Sequence, residues 1–551
     1  MRRKTESAWV LPPEIHRAEH YLASGEWTRG TMADAMRRRV AEAPDRLIVA
    51  DSREKLTRIA LQERAIRLGS ALHRRGLRPG SVVAFQLPNW TEACVISLAC
   101  ALYGYVLTPL LLMYRERELG FILSQTGCQV LFRPTIFNGF DYAALLQRAL
   151  KETGQSVDVY SVRGGPQAGP AYEDLLVEPS VVDMPAVDPA SVKAITFTSG
   201  TTGRPKGVLH SHYTAHATVL RAAAFWALGE ADRLLVASPV GHIGGSLYAF
   251  ELPFFTGCSA RLLESWDPAA AVGLIDGEGL TFCAGATPFL QGLLGSAQAA
   301  GTTLPSLRRF VCGGASVPPA LVAQAADRFR NAVISRAYGS SESPIICPGV
   351  RTREDGEYGQ TTDGEIDAEV RIVDAQGRDL PQGVEGDILA RSCSTFVGYL
   401  ETDDEREQFT ADGFFRTGDI GRIVDGRFLE ITGRRKELII RMGENISPLE
   451  VENGLLECEA VKRVAVVGVP NERTGERAVA FVELRDGAGL TFVDMQAFLG
   501  KIGLAKQKWP EELHILDRLP TNSIGKVQKS ELKLLAGKST SATAQPGGAA
   551  R

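Results

Sequence analysis

Apolar and polar positions change period repeatedly along the 551 residues. The stretches 31–43, 56–75, 116–125 and 142–151 carry helical spacing, and 47–50, 82–86 and 130–132 are short apolar runs of strand character. Such alternation predicts parallel α/β layers. After a Gly-, Pro- and acid-rich connection at 161–185, strand character returns at 192–197 and 208–209, and Ser211 stands where it would cap a helix over 214–227. Strands at 233–238, 261–263, 280–284, 307–312 and 333–338 then alternate with helices at 269–276, 288–294 and 318–329. From 364 to 433 the texture becomes short alternating strands (369–374, 386–391, 422–425, 428–431) with Gly and Asp turns, which predicts a β-rich part. A smaller unit follows from Lys436, with helices at 449–457 and 492–499 and strands at 461–469 and 478–484. The expected fold class is therefore α/β: a large N-terminal domain of layered α/β subdomains with a β-rich part (1–435), plus a small α+β C-terminal domain (436–538) and a disordered tail (539–551).

The run 93–114 holds no charged residue and is long enough to span a bilayer. Gly104 and Pro109 interrupt it and Pro88-Asn89 precede it, so a buried helix–strand pair is expected instead. Residues 1–30 are polar and mixed, with Trp9, Tyr21 and Trp27 as candidate anchors. Composition is that of a soluble globular protein, with 44% hydrophobic and 23% charged residues, and a net charge of −4 gives no basic block to follow a nucleic acid. Nine scattered cysteines without a Cys-x-x-Cys pair fit small buried hydrophobes in a reducing compartment, and Met1–Trp9 is not a secretory signal; a cytoplasmic enzyme is expected.

The chemistry centres on 198–207, Thr-Ser-Gly-Thr-Thr-Gly-Arg-Pro-Lys-Gly, set between two strand-like runs. Its glycines allow close backbone approach to an anion, its hydroxyls and N–H groups can donate to phosphate oxygens, and Arg204 and Lys206 add charge. The spacing is not that of the P-loop. Gly537-Lys538-Ser539 imitates the end of one, but Leu532 occupies the position that requires Gly. Further along stand Tyr338-Gly339-Ser340-Ser341-Glu342, Arg416-Thr417-Gly418-Asp419 on an expected tight turn, Gly433-Arg434-Arg435-Lys436-Glu437, Gly443-Glu444-Asn445-Ile446 and Pro520-Thr521-Asn522-Ser523-Ile524-Gly525-Lys526.

Over about residues 30–535 this ordered set resembles the adenylate-forming superfamily, which includes acyl- and aryl-CoA ligases, luciferases and peptide-synthetase adenylation domains. The resemblance implies an ATP-dependent carboxylic acid:CoA ligase that forms acyl-AMP and pyrophosphate, then acyl-CoA and AMP, with ATP, Mg²⁺ and CoA as cofactors. It assigns Thr198, Ser199, Gly200, Thr201, Thr202, Gly203 and Lys206 to the β- and γ-phosphates, and Gly314, Ala315, Tyr338, Gly339 and Ser341 to the nucleotide. Asp419 and Arg434 go to the ribose, and Glu342 to the metal. Lys526 is implied as the catalytic cation at the α-phosphate, His242 as the border of the acid's carboxylate, and Lys436 as the pivot on which the small domain moves to bring in 443–446. Asn522 departs from the usual Thr of that motif.

His242–Ser246, Thr287–Phe289, Val311–Ala315 and Tyr338–Ser340 are the expected walls of the acid pocket, mostly apolar or small, with no buried cation evident. Ile243 replaces the Asn usual in hydroxybenzoate-activating relatives, and Lys508-Trp509-Pro510-Glu511-Glu512-Leu513 resembles the cyclohexanecarboxylate and medium-chain ligase branch. Both imply a hydrophobic medium-chain, alicyclic or aryl acid. Two alternatives stand beside this one: a free-standing adenylating enzyme that loads a carrier protein, and an inactive nucleotide-binding scaffold, which would be expected to lack Lys526, Glu342 or Asp419. A metal site from His210, His212 and His216 is disfavoured because no nearby carboxylate or Cys in the sequence completes it.

Overall fold

The computed structural model describes residues 15–165, 169–177, 184–198, 205–314, 317–401, 408–441, 444–471, 473–522 and 525–542. Two seven-stranded sheets dominate the large domain. One runs, edge to edge, Val333–Ala337, Arg309–Gly313, Phe282–Gly285, Arg233–Val236, Ser259–Leu262, Leu47–Ala50 and Lys55–Thr57, parallel except for the last pair. The other runs Gly398–Tyr399, Lys206–Ser211, Val192–Thr198, Val106–Pro109, Val82–Phe85, Val130–Arg133 and Asp158–Ser161, parallel from Val192–Thr198 onward and antiparallel before it.

All thirteen residues of the helix Thr91–Tyr103 are buried, in one core with Val83, Phe85 and Leu107 of the second sheet and Val236, Ala260 and Leu262 of the first. That burial accounts for the charge-free run: from Ala93 onward the helix carries no charge because it has no solvent face, and Glu92 in its first turn is paired with Arg163. Val106–Pro109 follows it as the expected strand, and no described helix is long and apolar enough to cross a membrane. Ser211 caps the helix His212–Trp226 by accepting from the Thr214 N–H. Trp27 stacks on Tyr213 at 4.7 Å and donates to the Cys393 carbonyl, while Tyr21 packs beside it; these two anchors are as expected, and Trp9 lies outside the described residues. All nine cysteines are free, eight of them buried.

The β-rich part is a four-stranded antiparallel sheet, Glu369–Val373, Gly386–Arg391, Phe415–Val424 and Phe428–Arg434. Its last two strands are longer than their alternation suggested, and the difference reaches the site. Arg416-Thr417-Gly418-Asp419 is not a tight turn but a bulge inside Phe415–Val424. Asp387 pairs with Ile420 and Leu389 with Arg416, so three residues face Ile388 alone. Gly418 takes φ +76° and the Thr417 hydroxyl bonds the Ile388 carbonyl at 3.0 Å, which turns Asp419 out of the ladder's regular alternation.

Beyond the short 3-10 turn Arg435–Glu437 lies a small domain with a five-stranded sheet, in which Val461–Asn471 and Gly475–Leu484 form the central hairpin and Glu512–Ile515 an added parallel strand. Glu444–Ile446, expected as loop, is a strand paired with Ile439–Arg441. The last helix, Lys529–Ala542, runs four residues into the stretch expected to be disordered, and 543–551 lie outside the described residues.

The buried pair of helices Arg58–Arg74 and Thr91–Tyr103 meets where Gly69 leaves no room for a side chain: a Cβ there would lie 2.1 Å from Tyr103 Cδ2. Gly69→Ala is expected to destabilise the large domain by about 1–3 kcal/mol through overpacking, read as an earlier denaturant midpoint; an unchanged midpoint would show that the helices separate freely.

Candidate functional site

Two strand ends, one strand bulge and a turn of the small domain converge. Tyr338 follows the edge strand Val333–Ala337, and its hydroxyl donates to Asp419 Oδ2 at 2.6 Å. Arg434, the last residue of Phe428–Arg434, donates from Nε to Asp419 Oδ1 at 2.6 Å. Asp419 is buried; its carboxylate is held by these two donors, and its backbone N–H bonds the Thr417 hydroxyl at 3.1 Å. Burial first, and then the Asp419 charge, raise the Tyr338 pKa well above the usual phenol range, so the phenol stays a donor. Gly339 is sterically required, because a Cβ there would sit 2.2 Å from the Pro344 carbonyl oxygen.

A second group forms around Glu342. Tyr399 donates to Glu342 Oε1 at 2.8 Å, and the Lys206 ammonium lies 5.1 Å from the centre of the Tyr399 ring. Pairing of Val208 with Tyr399 brings them together, and Lys206 faces Thr198 across the hairpin that carries 198–207. His210 lies on the same strand; its Nε2 meets the Ser341 carbonyl at 2.7 Å and its Nδ1 meets the Thr214 hydroxyl at 3.1 Å, holding the Ser341-Glu342 backbone. Ser199, Gly200, Thr201, Thr202, Gly203 and Ala315 lie outside the described residues, while Gly314, at φ +84°, ends the strand Arg309–Gly313 in open space.

Lys526 arrives from the other domain. Its turn is closed by Asn522, whose side-chain oxygen accepts the Lys526 N–H at 2.9 Å while its own N–H donates to the Lys526 carbonyl at 2.9 Å. The departure from the usual Thr therefore works through an acceptor to backbone. Gly525, at φ +79°, packs so tightly on Pro288 that a Cβ would lie 2.6 Å from its ring. This contact docks the Lys526 turn against the start of the helix Thr287–Ala299. Burial, then Arg434, pull the Lys526 pKa below the usual lysine range, Glu437 and Asp419 oppose the fall, and Lys529 adds to it. His242 accepts the Gly244 N–H at Nδ1 (3.1 Å), which leaves its proton on Nε2; burial and then the Lys526 charge lower its pKa to about 4. The imidazole is thus a neutral donor beside a cation.

Lys436 is exposed within the turn Arg435–Glu437, where the chain passes between the domains. Arg435 Nε bonds Asp387 at 2.8 Å on one side; Glu437 bonds Lys529 at 2.9 Å on the other, and Lys529 also holds Glu452 at 2.8 Å. Glu444 and Asn445 are exposed.

A cavity of about 50 Å³ lies beside Ile243. Of the four expected walls only His242–Ser246 contributes, through Ile243 and Ser246; Leu107, Thr196, His210, Thr218, Leu247 and Phe250 supply much of the rest. A buried cation is present: Lys193, paired with Glu251 at the cavity wall. Both were hidden because each is a single charge inside an apolar run, and that isolation is itself a sign of a buried partner. Glu251 Oε2 also faces His216 Nε2 at 3.9 Å, so a carboxylate does approach that histidine, from a distant stretch of chain. Among the described residues no group of three or more His, Cys, Asp or Glu is disposed to hold a metal ion.

The chain matches the family model for AMP-binding enzymes over residues 36–400 and that for the AMP-binding enzyme C-terminal domain over 450–526. It is 32% identical to a medium-chain fatty-acid–CoA ligase of Escherichia coli, over 96% of this chain and 95% of that one. A salicyl-AMP ligase / salicyl-S-ArCP synthetase of Mycobacterium tuberculosis is 30% identical, over 94% and 93%. Among solved structures, ATP-bound MatB from Rhodopseudomonas palustris superposes with a TM-score of 0.81 at 27% identity, covering 92% of this chain and 99% of that one. With both family domains present in order and nearly the whole length aligned, the chain belongs to the AMP-binding enzyme family.

Proposed function

We propose that this chain is a cytoplasmic ATP-dependent ligase that joins a hydrophobic carboxylic acid to CoA. The supporting observation is the convergence of Lys526 on His242 and on the Tyr338–Asp419–Arg434 group across the domain boundary. In the first step a carboxylate oxygen attacks the α-phosphorus, the bond to the bridging oxygen breaks, and pyrophosphate leaves. In the second, the CoA thiol adds to the acyl carbon, AMP departs, and the thiol proton is released. Asp419 is the acceptor for the ribose hydroxyls and Arg434 steadies it. The 198–207 stretch grips the leaving phosphates with Lys206. Charge on the α-phosphoryl oxygens grows during attack, so a positioned ammonium at Lys526 stabilises the transition state more than the separated reactants. His242 would donate to the acid's carboxylate.

The donor set around Glu342 suits Mg²⁺: a hard carboxylate beside the phosphate loop, with the phosphates supplying the other oxygens. When bound there, the ion would neutralise charge on the departing pyrophosphate. The same small domain serves both steps if residues 436–538 rotate about Lys436, withdrawing Lys526 and admitting 443–446. A carrier-protein thiol as acceptor is the second reading, supported by the likeness to the salicyl-loading relative.

Acid-dependent ATP–pyrophosphate exchange over medium-chain, alicyclic and aryl acids is expected, followed by thioester formation when CoA is added. No exchange with any acid would contradict the ligase reading; exchange without CoA consumption would favour the carrier protein.

A pH profile follows from the charges around Lys526. Only the ammonium form catalyses attack, so exchange should fail as pH rises, at a pH below the ordinary lysine value of 10.5. Glu437 holds that proton on; Glu437→Gln is expected to shift the alkaline limb to lower pH, and an unmoved limb would exclude Lys526 as its origin.

A further inference from the structure

The cavity beside Ile243 is not lined by hydrocarbon alone. Its lining includes Ile243, next to His242, and His210, which holds Ser341. It also includes Lys193, Glu251 and Thr196. Lys193 is 4% and Glu251 8% exposed, and the ammonium and carboxylate are paired. Glu251 Oε2 and the Thr196 hydroxyl are buried without a hydrogen-bond partner. His216, which faces Glu251, is held neutral by burial, with its pKa lowered to about 4. Glu251 closes a π-helical turn, Leu247–Glu251, in which Leu247 and Phe250 also line the cavity. Such a turn costs helix geometry and recurs where side chains are redirected toward a site.

A buried ion pair is weak evidence of a stabilising device, since apolar residues of like volume often do as well or better. An unpaired buried acceptor and hydroxyl on a cavity wall add a further cost unless something bonds them. We propose that Lys193, Glu251 and Thr196 read a neutral oxygen function, a ketone or hydroxyl, at the far end of the acid, so that the substrate is an oxo- or hydroxy-substituted hydrophobic acid. This rests on the ligase reading and narrows its substrate class. Lys193 and Thr196 donate to a carbonyl; Glu251 accepts from a hydroxyl. The pair is neutral overall, so a second carboxylate would bring an uncompensated charge into the cavity and is disfavoured.

The test compares acid-dependent ATP–pyrophosphate exchange for octanoate against 7-oxooctanoate, and cyclohexanecarboxylate against 4-oxocyclohexanecarboxylate, with suberate as the charged probe. Wild type is expected to favour the oxo member by about 10-fold or more in kcat/KM and to reject suberate, because a site built to bond an oxygen discriminates strongly against its loss. In Lys193→Met/Glu251→Leu the oxo-to-hydrocarbon ratio should fall to one or below. Wild-type preference for the hydrocarbon member of both pairs, or a ratio unmoved by the double substitution, would overturn the proposal. Should the double variant no longer bind ATP, Thr196→Val decides: a several-fold lower ratio supports the reading and an unchanged ratio contradicts it. Absence of exchange with every acid would remove the ligase reading itself, a result distinct from exchange with the wrong preference.

Discussion

In the proposed reaction one ammonium, that of Lys526, comes to the α-phosphate from a domain that does not build the rest of the site. Asn522 closes the turn of Lys526 through both its side-chain oxygen and its N–H. Gly525, next to Lys526 and with no Cβ, is docked on the large domain against Pro288. Desolvation at that contact works against the charge, and Glu437 and Asp419 offset it. The site is therefore a balance: buried enough to strengthen electrostatic contacts, acidic enough to keep the lysine protonated.

The large domain prepares its half by holding Asp419 between Tyr338 and Arg434. Arg434 ends the strand that leads into the Arg435–Glu437 turn, so the residue that steadies Asp419 is next to the passage between domains. In the proposed rotation at Lys436 the link from Glu437 through Lys529 to Glu452 would move as one body, since all three residues follow Lys436. Ser447 bonds the Thr432 carbonyl at 2.6 Å across the same passage, a tie that rotation would have to break.

Much of this was legible in the chain. Periodicity placed most layers, because parallel strands buried on both faces are continuous apolar runs, and the charge-free 93–114 read correctly as helix and strand once Gly104 and Pro109 were weighed. Motif order located Tyr338, Asp419, Arg434 and Lys526, which the fold brings together. What escaped had physical reasons. The bulge at Asp419 depends on register against Gly386–Arg391, which local sequence does not encode. Tyr399 meets Glu342, and Lys193 meets Glu251, through pairing and packing between distant segments. Three expected walls of the acid pocket do not line the described cavity, which takes Lys193, Ala194 and Thr196 from the strand Val192–Thr198.

The central claim is that Lys526 serves the adenylation step and not the transfer to the thiol. The most direct measurement compares Lys526→Ala in two assays: ATP–pyrophosphate exchange with a good acid substrate, and thioester formation from supplied acyl-adenylate and CoA. Loss of a positioned transition-state cation is expected to cut exchange by about 100-fold or more while thioester formation from the adenylate stays near wild type. Near-normal exchange, or equal loss in both assays, would contradict the account.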